Sequence, residues 1–137
     1  MKVALFVAAL VAGAGLTGAA QAAAGASVIR LTSVKVNEQH PNNETIILKN
    51  NDFINGKKAG HDTLTCKVAA QNKVNCSIAI VLAAGKLNGK FVQLLSASSG
   101  KGTITGGTGK YAGAKGSFTF RNLNSDGSRT GVVLTLK

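Results

Sequence analysis

Residues 59–83 read AGHDTLTCKVAAQNKVNCSIAIVLA, from Ala59 to Ala83, and their second half alternates strictly. Val74, Cys76, Ile78, Ile80 and Leu82 interleave with Asn75, Ser77, Ala79, Val81 and Ala83. A period of two marks a strand with one packed face, here the first set. If residues 59–69 pair with 73–83 around a reversal at Gln71, then Cys66 faces Cys76, Leu64 faces Ile78, Val68 faces Val74 and Asp62 faces Ile80. Facing partners share a side of the sheet, so both cysteines point inward near one end of the hairpin. Asp62 goes in with them, and His61 points out.

The same texture extends in both directions. Short β-branched runs bounded by Gly, Asn and Asp recur, and no sustained period of 3.6 appears after the first 22 residues. Strands are expected at residues 27–36, 44–53, 59–69, 73–83, 86–95, 102–105, 117–122 and 130–137. Eight strands joined by short links predict an all-β chain, an eight-stranded antiparallel up-and-down β-barrel, which removes exposed sheet edges. A sandwich is the alternative. Asn55-Gly56 is a type I′ hairpin signal, because both positions need positive φ. Gln71-Asn72 and Ala84-Gly85 mark the next reversals, and the polar segment 37–43, NEQHPNN, which holds the only proline, is expected to be an exposed loop.

The chain opens with MKVALFVAALVAGAGLTGAAQAAAGAS, a lysine, an apolar run and small residues at Ala20-Gln21-Ala22. This pattern predicts a secretory signal peptide over residues 1–22 and one β-barrel domain over 23–137. Gly13 and Gly15 break the run, and it is short for a bilayer span of roughly 20 residues. Secretion, whether extracellular or periplasmic, means an oxidising compartment, which makes a Cys66–Cys76 disulfide the expectation. A metal site is disfavoured, since zinc usually takes four ligands and only His40 and His61 could join the two thiols.

Sixteen Lys and Arg against five Asp and Glu give a net charge of +11. The leader accounts only for Lys2 among these, so the exported domain is basic and associates weakly with polyanions or cell surfaces at low salt. The charges are spread, with no run longer than Lys57-Lys58, and aromatics are only 4% of the chain. A specific nucleic-acid site, which concentrates charge and interleaves stacking rings, is therefore not expected.

A second informative stretch is ITGGTGKYAGAKGSFTF, residues 104–120. A Walker loop ending at Gly109-Lys110 would need glycine at Ile104 and a hydroxyl residue at Tyr111. A dinucleotide fingerprint starting at Gly107 would need glycine at Ala112, and no helix follows either motif. An RNA-recognition motif would need helices behind its sheet. What remains is a sharp glycine-built turn between the sixth and seventh strands, with Tyr111 as an anchor packed beneath it.

The segment Thr105 to Gly116, TGGTGKYAGAKG, resembles the G-G-T-G-x-[YF]-x-G-A-x-G signature of the allene oxide cyclase and dirigent protein superfamily. Gly56 to Cys66, GKKAGHDTLTC, is similar to a G-x-x-x-G-x-D-x-x-x-C segment of its small exported bacterial members, with Cys76 as the second cysteine. The resemblance spans about residues 27–137. It implies an eight-stranded barrel with a largely apolar cavity, often assembled as a homo-oligomer such as a trimer. Plant cyclase members isomerise a fatty-acid epoxide, dirigent members steer phenoxy-radical or quinone-methide chemistry, and some bacterial members are cyclases. The shared residues Gly106, Gly107, Gly109, Tyr111, Gly113 and Gly116 form a turn motif, so they carry the fold and not a reaction.

Three functions are compatible with these residues. The first is a secreted barrel that binds a small apolar or amphipathic ligand inside, without catalysis or cofactor, against Leu64, Ile78, Ile80, Leu82 and Phe91, with Asp62 as the polar group. The second is an isomerase or cyclase using Asp62 and Tyr111. The third is a basic surface protein binding anionic polymers. Asp62 is the only acid that this register sends inward; Glu38, Glu44, Asp52 and Asp126 fall in loops, at strand ends or in uncertain register. That scarcity argues against chemistry needing two poised groups.

Overall fold

A computed structural model of the protein describes residues 27–137; the expected signal peptide, residues 1–22, lies outside the described residues. The strands are β1 (Ser27–Asn42), β2 (Thr45–Ile54), β3 (Lys57–Val68), β4 (Lys73–Leu82), β5 (Gly85–Leu94), β6 (Ser99–Gly107), β7 (Gly116–Asn122) and β8 (Arg129–Leu136). Each pairs antiparallel with its sequence neighbours, and β1 also pairs with β8. The sheet closes into a barrel, which excludes the sandwich.

The hairpin of β3 and β4 has the expected register, with Cys66 opposite Cys76, Leu64 opposite Ile78 and Asp62 opposite Ile80. The cysteines form a disulfide, their Cα atoms 4.1 Å apart. Asn55 (φ 52°) and Gly56 (φ 80°) make the left-handed turn between β2 and β3. The expected loop at 37–43 is a correction: β1 runs on to Asn42, and only Asn43 and Glu44 form the turn. Its ladder to β2 slips between Lys35 and Asn37 and again between Gln39 and Asn42, so Pro41 sits in an irregularity where its missing N–H breaks no pair. The segment is exposed, as a loop would be. The sixth strand is also longer than expected, Ser99 to Gly107, because the glycines that read as turn residues lie within it.

The up-and-down order puts the Asn55-Gly56 turn, the glycine-rich turn and the chain's last strand residues at one end of the barrel. There the interior is solid, with Leu31, Ile80, Leu82, Leu87, Leu134 and Leu136 buried together. Each such side chain contributes roughly 1.5–3 kcal/mol by leaving water. A short 3-10 turn, Gly109–Tyr111, caps this end, and Tyr111 packs against the core from it. A Cβ at Gly107 would come within 2.5 Å of the carbonyl oxygens of both Lys86 and Tyr111, so only glycine lets the turn lie down on β5.

The other end holds Phe91, Phe118 and Phe120 and is not filled. The β5–β6 ladder stops at the pair Lys90 and Thr103, and beyond it the two strands have no paired residues. The rings of Phe91, Phe118 and Phe120 occupy the space behind this seam, with centroids 4.7 to 6.2 Å apart. Gly102 is required there, because a Cβ would run into the Phe118 ring and the Lys90 carbonyl.

Candidate functional site

The open half of the barrel contains a cavity of about 290 Å³. Its walls carry Leu64, Ile78, Phe91, Phe118, Phe120 and Val132. These residues reach it by the period of two along β3, β4, β5, β7 and β8, each strand giving alternate side chains to the inside. Asp62, Asn50 and Ser33 supply the polar part of the lining. Lys35, Glu38 and Asp126 complete it on its charged side.

Asp62 is 2% exposed and fixed on both oxygens. Ser33 donates from Oγ to Oδ2 at 2.8 Å, and Asn50 donates from Nδ2 to Oδ1 at 2.7 Å. Behind it lies Asp52, with no exposed surface. Neither Asp52 oxygen has a donor from the protein. Burial, then the Asp62 carboxyl beside it, push the Asp52 carboxyl up to about 8, with Ser33 opposing the shift. At neutral pH Asp52 therefore holds a proton beside the Asp62 carboxyl group. The proton stays on Asp52 because a carboxylate sealed from water beside a second carboxyl group is costly.

Among acidic groups near the cavity, Glu38 accepts from Lys35 Nζ at 2.9 Å and is bonded to His40 Nε2 at 2.7 Å. These hydrogen bonds, Lys35 first, hold its carboxyl below the usual range. Asp126 is drawn down chiefly by the Ser128 backbone N–H, which it accepts at 3.0 Å. One further polar atom on the lining, Gln93 Oε1, is buried without a partner.

Of the residues assigned from sequence, Asp62, Leu64, Ile78 and Phe91 line this cavity. Ile80 and Leu82 do not: they are buried in the solid half, one and two strand periods below Ile78. Tyr111 caps the opposite end, so it and Asp62 do not share a site. The reading of Asp62 as the only inward acid is also corrected, since Asp52 is wholly buried beside it. Ile46, Leu48, Asn50 and Asp52 are spaced by two, and Asn50 and Asp52 sit opposite Asp62 and Gly60. That spacing was the available signal, hidden because the inward face turns polar halfway along β2. Phe118 and Phe120, also spaced by two, were missed on the cavity wall as well.

A larger depression of about 930 Å³ runs along the outer wall over the seam, with Lys67, Lys90 and Lys101 among its residues. It is open to solvent and contains no acid, so the smaller interior cavity is the better candidate for a small-molecule site. Among the described residues no group of three or more His, Cys, Asp or Glu is placed to hold a metal ion.

No protein-family model and no curated protein sequence matches the chain. Solved structures with this barrel include a pyocyanin demethylase, at TM-score 0.67 and 23% identity over 81% of this chain and 100% of that one. They also include AbnU, an exo-specific intermolecular Diels-Alderase, at TM-score 0.69 and 10% identity over 82% and 98%. A pterocarpan synthase dirigent protein aligns at TM-score 0.55 and 12% identity over 82% and 93%. All three share this chain's fold. At such identities the likeness extends to the barrel and not to individual residues.

Proposed function

We propose that this chain is an exported, dirigent-like barrel of the allene oxide cyclase and dirigent superfamily that binds a small apolar or amphipathic ligand in its open half without transforming it. The observation that carries the reading is the cavity of about 290 Å³, whose walls combine Leu64, Ile78 and three phenylalanines with polar groups centred on Asp62. That volume lies at the lower limit of the roughly 300–1,000 Å³ typical of ligand sites, so the occupant is compact, a fused ring system in preference to a long chain. Barrels of this fold with names that refer to small organic molecules, such as the pyocyanin demethylase and the pterocarpan synthase dirigent protein, support the same use of the interior. Titration with 1-naphthol, followed by calorimetry and thermal unfolding, tests it. Uptake by the native protein and its loss in Ile78→Trp, which fills the cavity, are expected; no uptake by the native protein overturns the reading.

The carboxyl pair favours a second reading, an isomerase in which the Asp62 carboxylate removes a proton from one carbon of a bound ligand and returns it to another. Ser33 and Asn50 would hold that carboxylate in place, with the protonated Asp52 behind it. An enolisable ketone of cavity size, incubated in deuterated water, would exchange its α-hydrogens faster with the native protein than with Asp62→Asn. Equal rates remove this reading and leave the binding role intact.

A further inference from the structure

The chain's charges are segregated. Of its five acidic residues, Glu38, Asp62 and Asp126 line the barrel cavity and Asp52 backs Asp62; only Glu44 lies elsewhere. Among the described residues a single Lys or Arg, Lys35, lines the cavity, and it is paired with Glu38 at 2.9 Å. A protein of net charge +11 thus encloses a cavity with an excess of negative charge.

The polar wall is also short of donors. An ionised carboxylate can accept about four hydrogen bonds. Asp62 receives one on each oxygen from protein side chains, which leaves it acceptor capacity toward the cavity. Gln93 Oε1 on the lining is a buried acceptor in want of a donor. Among the described residues an anionic ligand would find on this lining no cation other than Lys35, which is paired with Glu38. The same lining carries Phe91, Phe118 and Phe120, and aromatic ring faces attract positive charge.

We propose that the ligand of this cavity is an aromatic cation, a compact ring system carrying a fixed positive charge or a protonated amine, held with its charge toward Asp62 and its rings among the three phenylalanines. The inference rests on the binding role proposed above and names the ligand's class. The preference is local in origin. The outer lysines repel a cation from a distance, but at physiological ionic strength their field decays over about 8 Å, whereas the cavity carboxylates act at contact and out of bulk water.

Three probes of one shape test it by equilibrium dialysis at about 0.15 M salt: 1-methylquinolinium, the neutral 1-methylnaphthalene and the anionic 1-naphthoate. The cation is expected to bind about tenfold tighter than the neutral probe, as expected for a desolvated ring contact plus a carboxylate, and the anion weakest of the three. Asp62→Asn is expected to bring the ratio of cation to neutral affinity close to one, with the neutral probe's affinity little changed. Phe120→Leu, a second variant that leaves the carboxyl pair untouched, should reduce the cation's affinity more than the neutral probe's. Equal or tighter binding of the neutral or anionic probe overturns the proposal while leaving the cavity a ligand site. Binding of none of the three overturns the ligand-binding role itself.

Discussion

Asp52 and Asp62 are two strand residues with opposite circumstances. Asp62 faces the cavity with two donors, while Asp52 is sealed behind it with none. Removing Asp62 strands Ser33 and Asn50 without an acceptor, so Asp62→Ala is expected to destabilise the protein by about 2–4 kcal/mol in denaturant melts. Asp52→Asn should cost much less and should change the pH dependence. The folded Asp52 carboxyl titrates near 8 and its unfolded counterpart near 3.8, so between those values the native state holds a proton that the unfolded chain has released. Raising the pH through this window therefore favours unfolding, and above about 8 the loss is complete. Native protein is expected to lose stability steadily between pH 5 and 8, relative to a flatter profile for Asp52→Asn. Glu38 and Asp126, both held low, act in the opposite sense and at lower pH. Their contributions are present above the ordinary carboxylate range and disappear as pH falls below it, so the two effects separate in one titration.

At the scale of the elements, the β3–β4 hairpin and the β5–β6 seam behave differently. The disulfide closes the hairpin with a sequence separation of 10, and its loss in a Cys66→Ala/Cys76→Ala double variant should cost about 3 kcal/mol, read from melts. Gly102→Ala, in contrast, forces a methyl group against the Phe118 ring and the Lys90 carbonyl, and about 1–3 kcal/mol of destabilisation is expected together with a smaller cavity and weaker 1-naphthol uptake. The hairpin was legible in the sequence because its alternation is apolar along its length and two cysteines align it. The closed barrel followed from the even spacing of eight strands and short links. β2 was harder to place: its inward face passes from Ile46 and Leu48 to Asn50 and Asp52, and a hydrophobic pattern cannot report a buried polar face. The cavity's depth was equally hidden. Alternation says which side of the sheet Ile78 and Ile80 occupy, but not that strand tilt and the bulk of Leu87, Leu134 and Leu136 fill the space around one and leave the other beside a void.

Over the whole molecule, the acids gather at the barrel interior and its charged side while lysines cover the outside. The outer positive charge is dispersed among strands, so binding to anionic polymers should be weak and salt-labile. Retention on heparin is expected to vanish at or below physiological ionic strength; retention well above it would point to a dedicated polyanion site. The seam carries a different consequence. A closed barrel is a hoop, and a hoop opens where it is tied least: β5 and β6 share four paired residues, against nine between β3 and β4. Backbone amides of residues 91–94 and 99–102 that face one another should exchange with solvent deuterium well ahead of those in the β3–β4 ladder. The wall at Phe91 would then breathe while the rest holds shape, and the frequency of that breathing would set how long an occupant stays inside.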